Sequence, residues 1–169
     1  ERGLSDLSFA VVASHAANPL LNGLTMKQVA ARLQESDSAD AQLEAARQLM
    51  LAGGASMVYH FMSDQDVERI MRHPYVGFAS DSGLLTPGRG VPHPRGYGNA
   101  ARVLGEYVRK RHVLPLEEAV RKMTSLPAQR LGFADRGLLR PGMAADVTCI
   151  DPETIADTAT YDEPRRLPA

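Results

Sequence analysis

The sequence predicts an α/β fold, because apolar runs of strand length alternate with amphipathic segments of helix length, and capping residues and glycines punctuate their boundaries. Up to Asp81 the order is helix, helix, strand, helix, strand, which suits a βα repeat with a parallel sheet. Before it, Leu7 to Ser14 is a strand-like run with no partner strand nearby. Thr25 and Gln28 form a capping-box pattern, and Met26, Val29, Ala30 and Leu33 follow at helical spacing, so a helix is expected from about Met26 to Gln34. Ser36 to Asp40 is turn-like. Ala41, Leu43, Ala46, Leu49 and Met50 then mark a second helix that Gly53-Gly54 terminates. Met57 to Phe61 is an apolar run of strand length. Ser63 with Asp66 opens a helix carrying Val67, Ile70 and Met71, which stops before Pro74.

Tyr75 to Ala79 reads as a short buried strand, and Asp81 falls at its C-terminal edge. Residues 83–98 are too rich in glycine and proline for regular structure, and long loops of this kind are usually functional or disordered. Asn99 can cap a helix in which Val103, Leu104, Tyr107 and Val108 share one face. A further helix is expected from Pro115 to about Thr124, with Glu117 and Glu118 in its first turn and Leu116, Ala119, Val120 and Met123 inward. Ser125 caps a short helix ended by Gly132. After a turn at Leu138 to Gly142, Ala145 to Ile150 is expected as a strand of a different sheet.

With 169 residues and 44% hydrophobic content, the chain can bury one ordinary core. Its net charge of −1, with 19 basic and 20 acidic residues interspersed, gives no field that favours nucleic acid or an anionic membrane. Arg109, Lys110 and Arg111 are the one dense basic run, and at a helix end they complement its dipole. The single cysteine, Cys149, excludes an internal disulfide and Cys-rich zinc motifs and reads as a small core hydrophobe. No stretch approaches the roughly 18 apolar residues of a membrane helix, and the expected location is the cytoplasm. The isolated strands, the start at Glu1 and the polar, proline-punctuated end suggest a piece of something larger.

On spacing alone, Asp81 is either an Asx-turn residue or a reactive carboxylate at a strand end, where barrels and open α/β sheets gather reacting groups. Of the histidines, His15, His60, His73 and His112 show no paired ligand spacing and read as core or surface residues. Met57, Phe61 and Met62 either pack or line an acyl pocket.

The segment Gly137-Leu138-Leu139-Arg140-Pro141-Gly142-Met143-Ala144-Ala145-Asp146-Val147 resembles the tail signature of the amidohydrolase superfamily, where the chain leaves a metal-dependent (β/α)8 barrel and re-enters a small β-sandwich. Ala79-Ser80-Asp81, His93-Pro94-Arg95-Gly96-Tyr97-Gly98, Arg102 to Arg109 and Glu118 to Ala128 together resemble the N-acyl-D-amino-acid deacylases, or D-aminoacylases. The similarity runs from about Gly23 to Tyr161 and is weaker in the N-terminal third.

The resemblance implies that the chain is the C-terminal part of the barrel with its following helices and a strand of the small β-sandwich. Residues 1–134 would belong to the barrel and 135–169 to an incomplete sandwich. It implies that Asp81 is the general base and acid, taking a proton from a zinc-bound water and giving it to the departing amine. It also implies that Arg95 pairs with the α-carboxylate of an N-acyl-D-amino acid, which a planar guanidinium can grip with two parallel bonds. His93 is then a loop-ordering residue. Ser82 stands where the family commonly has glycine. Zinc is the implied cofactor, with its ligands, an early His-x-His pair, a cysteine and two later histidines, expected upstream of this chain; none of the residues here is assigned to the metal. The implied partners are the small-molecule substrate and the remainder of the barrel, without nucleic acid or membrane. An isolated piece should be inactive and prone to self-association through open sheet edges. The alternatives are a non-catalytic fragment or interaction module and a cyclic amidase of the dihydroorotase or hydantoinase kind, against which the His-Pro-Arg loop argues.

Overall fold

A computed structural model of the chain describes residues 6–84 and 88–169. The contacts divide it into two units, one from Glu1–Phe61 and Gly83–His93, the other from Met62–Ser82 and Pro94–Ala169.

In the first unit, β1 (Ala10–Ser14) and β2 (Ser56–Tyr59) pair with Ala10 opposite Tyr59, Val11 opposite Val58 and Val12 opposite Met57, with an irregularity between Val12 and Ser14. The pair is antiparallel, so the expected parallel sheet is corrected: among the described residues the sheet has these two strands. Leu7 to Ser14 therefore does have a partner. Helices α1 (Met26–Gln34) and α2 (Ala39–Leu51) pack on each other and close a core of Val12, Leu21, Met26, Val29, Ala30, Ala45 and Leu49. The capping box of α1 forms in full, Thr25 accepting from the Gln28 amide and Gln28 from the Thr25 amide. Gly54 ends α2 by donating to the carbonyl of Leu49 at 2.9 Å from a left-handed conformation, φ +82°, that only glycine adopts cheaply.

The second unit contains α3 (Asp64–Arg72), α4 (Arg95–Arg102), α5 (Leu116–Met123) and α6 (Ser125–Arg130). α4 runs directly into a π-helical stretch, Val103–Lys110. Met71, Val103, Leu104, Val113, Leu114 and Ala119 form the core, with Tyr107 and Val108 half-buried against it, as their shared face predicts. The tail comes close at Gly105, where an added Cβ would stand 2.5 Å from the carbonyl oxygen of Ile155.

Several expectations change here. The helix expected to begin at Asn99 begins at Arg95, with Asn99 inside it. Ser125 is the first residue of α6 rather than its cap. Val120 faces outward, and Lys122 takes the buried position on α5. Neither Tyr75 to Ala79 nor Ala145 to Ile150 forms a ladder among the described residues, and Cys149 is exposed rather than in a core. A strand is a non-local element: without a partner to take its backbone groups, a β-prone segment has no ladder to join.

Candidate functional site

The two residues implicated by the sequence meet in the second unit. Asp81 lies in an irregular segment after Tyr75 to Ala79, so it stands beyond a strand-like run but not at the end of a formed strand. Its backbone is left-handed, φ +46°, a conformation that aspartate tolerates better than most residues. The local turn is closed by Ser80, whose Oγ accepts from the Ser82 amide at 3.3 Å. The Asp81 carboxylate is left to point outward, with its side chain 86% exposed.

Arg95 is the first residue of α4, after Pro94, whose carbonyl accepts from the amides of Tyr97 and Gly98. A cation at a helix N-terminus works against the helix dipole, which favours anions there. The arrangement offsets that cost with a carboxylate: Arg95 Nη2 donates to Asp81 Oδ2 and to the Asp81 main-chain carbonyl, each at 2.7 Å. Arginine and helix start together make an electropositive point suited to an anion, and Asp81 occupies it.

The segment that leads to Asp81 is tied to α5, through a residue that the sequence does not single out. Lys122 is fully buried, and its ammonium donates to the carbonyls of His73 and, at 2.9 Å, of Val76. Glu118 stands 3.8 Å away and the Phe78 ring centroid 5.8 Å away. Burial pushes the Lys122 ammonium below the usual lysine range, with the Glu118 carboxylate working against that shift. The Lys122 carbonyl accepts from the Phe78 amide at 3.2 Å, and Arg121 donates to Pro74 O at 2.5 Å. In sequence Lys122 looks like an ordinary solvated helix lysine. The one signal was its spacing, three residues after Ala119 on the inward face.

The other candidates fall elsewhere. His15 is buried, with Nδ1 2.9 Å from the carbonyl oxygen of Gly54, a core role; His60, His73 and His112 are exposed. Met57 packs against the first unit's core, and Phe61 makes edge contacts with Phe9 and Tyr59. The basic run closes the π-helical stretch: Arg109 bonds the Pro152 carbonyl, Lys110 pairs with Glu106, and Arg111 pairs with Asp64 and Glu68. A cavity of about 460 Å³ lined by Leu104, Val108, His112, Leu116, Ile150 and Glu153 includes neither Asp81 nor Arg95. Among the described residues no three His, Cys, Asp or Glu side chains are placed to hold a metal ion. These residues do not by themselves fit a zinc centre. Among the described residues, no helix is long and apolar enough to cross a membrane.

Comparison with known proteins gives this geometry a context. The model of an amidohydrolase family matches residues 8–169. An N-acyl-D-glutamate deacylase of Alcaligenes xylosoxydans xylosoxydans is 44% identical over 147 residues, covering 87% of this chain and 28% of that protein. A D-aminoacylase of the same organism is 41% identical over 146 residues, 86% of this chain and 28% of its own length. Among solved structures, the N-acyl-D-glutamate deacylase of Bordetella bronchiseptica, in complex with zinc and a phosphonate mimic of the tetrahedral intermediate, superposes with a TM-score of 0.82 at 39% identity, over 96% of this chain and 32% of that one. A crystal structure of a D-aminoacylase gives a TM-score of 0.83 at 35% identity, over 95% and 31%. The chain thus spans less than a third of the length of these relatives, and its fold is a part of theirs. By this match over nearly its whole length, the chain belongs to the amidohydrolase family.

Proposed function

We propose that this chain supplies the proton-transfer carboxylate and the substrate-carboxylate arginine of a zinc-dependent N-acyl-D-amino-acid deacylase. One observation carries the reading: Asp81 and Arg95, fourteen residues apart, are held in direct contact at the start of α4, with an exposed carboxylate facing a guanidinium. The α-carboxylate of an N-acyl amino acid is the same kind of acceptor that Asp81 offers. A substrate can therefore exchange one charge-assisted bond for another at Arg95 and leave the Asp81 carboxylate beside the scissile amide. Zinc dependence comes with this reading, in keeping with the zinc of the Bordetella structure; among the described residues no three His, Cys, Asp or Glu side chains gather to hold a metal ion.

As water oxygen bonds the acyl carbon, Asp81 Oδ takes the water's proton; as the C–N bond breaks, Asp81 returns it to the departing nitrogen, leaving a carboxylic acid and a free D-amino acid. Arg95 fixes the α-carboxylate, and with it the face of the stereocentre presented to attack. Residues 1–134 fit this reading as barrel and 135–169 as the return toward a sandwich. That division is supported by the last helix ending at Arg130 and by the irregular tail that follows.

The test is hydrolysis by the zinc-loaded full-length polypeptide of N-acetyl-D-glutamate, N-acetyl-D-aspartate, N-acetyl-D-methionine and their L-enantiomers, with dihydroorotate and a hydantoin alongside. Release of free D-amino acid with no turnover of the L-series is expected. Opening of the cyclic amides alone, or no hydrolysis at all, overturns the proposal.

A further inference from the structure

We propose that Lys122 is a positioning residue for Asp81, holding the segment that carries the carboxylate onto α5. This rests on the catalytic reading of Asp81 given above. Lysine is among the residues least often fully buried, because its ammonium loses hydration that only hydrogen bonds and charge can replace. Here the replacement is specific: the ammonium bonds the carbonyls of His73 and Val76, lies near Glu118 and faces the Phe78 ring. Its own carbonyl takes the Phe78 amide, so one residue satisfies both donors and acceptors of the same stretch.

Why the charge is there follows from the backbone. Residues 76–80 have no ladder among the described residues, so their polar groups must find other partners. A lysine supplies three donors on a flexible stem and can reach two carbonyls that point in different directions. Gly77 lets the two elements approach, since a Cβ there would stand 3.2 Å from the Lys122 carbonyl oxygen. Three residues beyond Phe78 the chain reaches Asp81. A shift of the anchored stretch is passed along this short connection to the carboxylate, and a displacement of about 1 Å at a reacting group can cost about a hundredfold in rate.

The experiment is a double-mutant cycle between Lys122→Met and Asp81→Asn in the zinc-loaded full-length polypeptide, read by hydrolysis of N-acetyl-D-glutamate. Lys122→Met should lower kcat by about 10- to 100-fold with KM changed less than about threefold. In the Asp81→Asn background it should cost less than about twofold, because a residue acting through Asp81 has nothing left to position. The same 10- to 100-fold loss in both backgrounds, or a wild-type kcat in Lys122→Met, overturns the proposal.

Should Lys122→Met not fold, Gly77→Ala perturbs the same contact from the other side, with an expected loss of about 3- to 10-fold that Asp81→Asn again abolishes; an equal loss in both backgrounds, or none in the first, overturns the proposal. Amide hydrogen exchange separates this inference from the deacylase reading. In the weaker-anchored variant the Phe78 amide and those of residues 79–82 should exchange at least about tenfold faster while the Val29 amide is unchanged. Unchanged protection at Phe78 sinks the positioning role even in an active enzyme. A wild type that turns over no substrate, with Phe78 protection still dependent on Lys122, sinks the deacylase reading and keeps the anchor.

Discussion

One nitrogen of the Arg95 guanidinium, Nη2, serves both the carboxylate and the main-chain carbonyl of Asp81, each at 2.7 Å. The contact fixes side chain and backbone together, so the left-handed turn at Asp81 and the start of α4 are mutually oriented. Both groups are solvent-accessible, so the pair adds little to stability and its role is in orientation.

Asp81→Asn tests the role of the carboxylate with little change of shape. Asparagine tolerates the φ of +46° as aspartate does, and its amide oxygen can still accept from Arg95, but it cannot shuttle a proton. Hydrolysis of N-acyl-D-amino acids by the full-length polypeptide should fall by about 10² to 10⁴ in kcat, with the urea midpoint and metal content unchanged. Activity within tenfold of wild type would remove Asp81 from the chemistry.

Arg95→Lys tests the grip on the substrate carboxylate. A lysine keeps the charge but loses the planar fork, so kcat/KM for N-acetyl-D-glutamate should drop by about 10- to 100-fold, mainly through KM. An N-acyl-D-amino acid methyl ester, which lacks the carboxylate, should be turned over equally by both enzymes. A loss of the same size on the ester would show that Arg95 acts through Asp81 alone.

What the sequence reveals here follows the range of each interaction. The caps at Thr25 with Gln28 and at Ser63 with Asp66 are bonds across three residues, so residue identity and spacing suffice to find them. Tyr75 to Ala79 has strand composition, yet its fate depends on distant partners, and the stretch is tied to a helix instead. The helix start at Arg95 was hidden because Gly96 and Gly98 read as loop residues, whereas Gly98 lies in α4 to admit a neighbour from the tail. The motifs single out Asp81 and Arg95 as candidates. Their contact is not legible there, because it closes a glycine-rich connection whose path no local rule specifies. Lys122 was missed for the opposite reason: its local pattern is that of a surface lysine, and only tertiary packing buries it.

The Glu44 carboxyl gives the stability of the first unit a pH dependence. Arg47 donates twice to Glu44, at 2.8 and 2.7 Å, and Gln48 adds a third bond, which together lower the Glu44 carboxyl from an ordinary 4.5 to about 2. A carboxyl whose folded pKa is depressed stabilises the fold above its unfolded value, and that contribution disappears as pH falls through the folded one. Glu44→Gln should therefore have a slightly lower urea midpoint than the wild type at pH 7. The gap should close between about pH 4.5 and pH 2, followed by far-UV circular dichroism. A gap that persists at pH 2 would mean that the pair's ionisation is not its source.

Gly98 and Asp157 make the most sharply defined steric prediction. A Cβ on Gly98 would lie 1.8 Å from Asp157 Oδ1 and 2.3 Å from its Cγ, so alanine cannot enter α4 unless Asp157 moves. Asp157 is not free to swing: its side chain is only 7% exposed, it accepts from the Ala159 amide at 3.0 Å, and Arg102 stands 3.7 Å away. Gly98→Ala should cost about 1–3 kcal/mol by urea denaturation, the range for overpacking a fitted contact, although alanine is the better helix former. Asp157→Ala alone loses an ion pair and a turn bond. Combined, the two changes should be less costly than their sum by about 1 kcal/mol or more, since truncating Asp157 vacates the space that the new methyl needs. Strict additivity would show that the collision is relieved by backbone adjustment of the tail instead. Because Gly98 lies within one turn of Arg95, the same pair should also report on the site: Gly98→Ala should raise KM for N-acetyl-D-glutamate, and Asp157→Ala should restore it in the double variant if the methyl acts by tilting the start of α4.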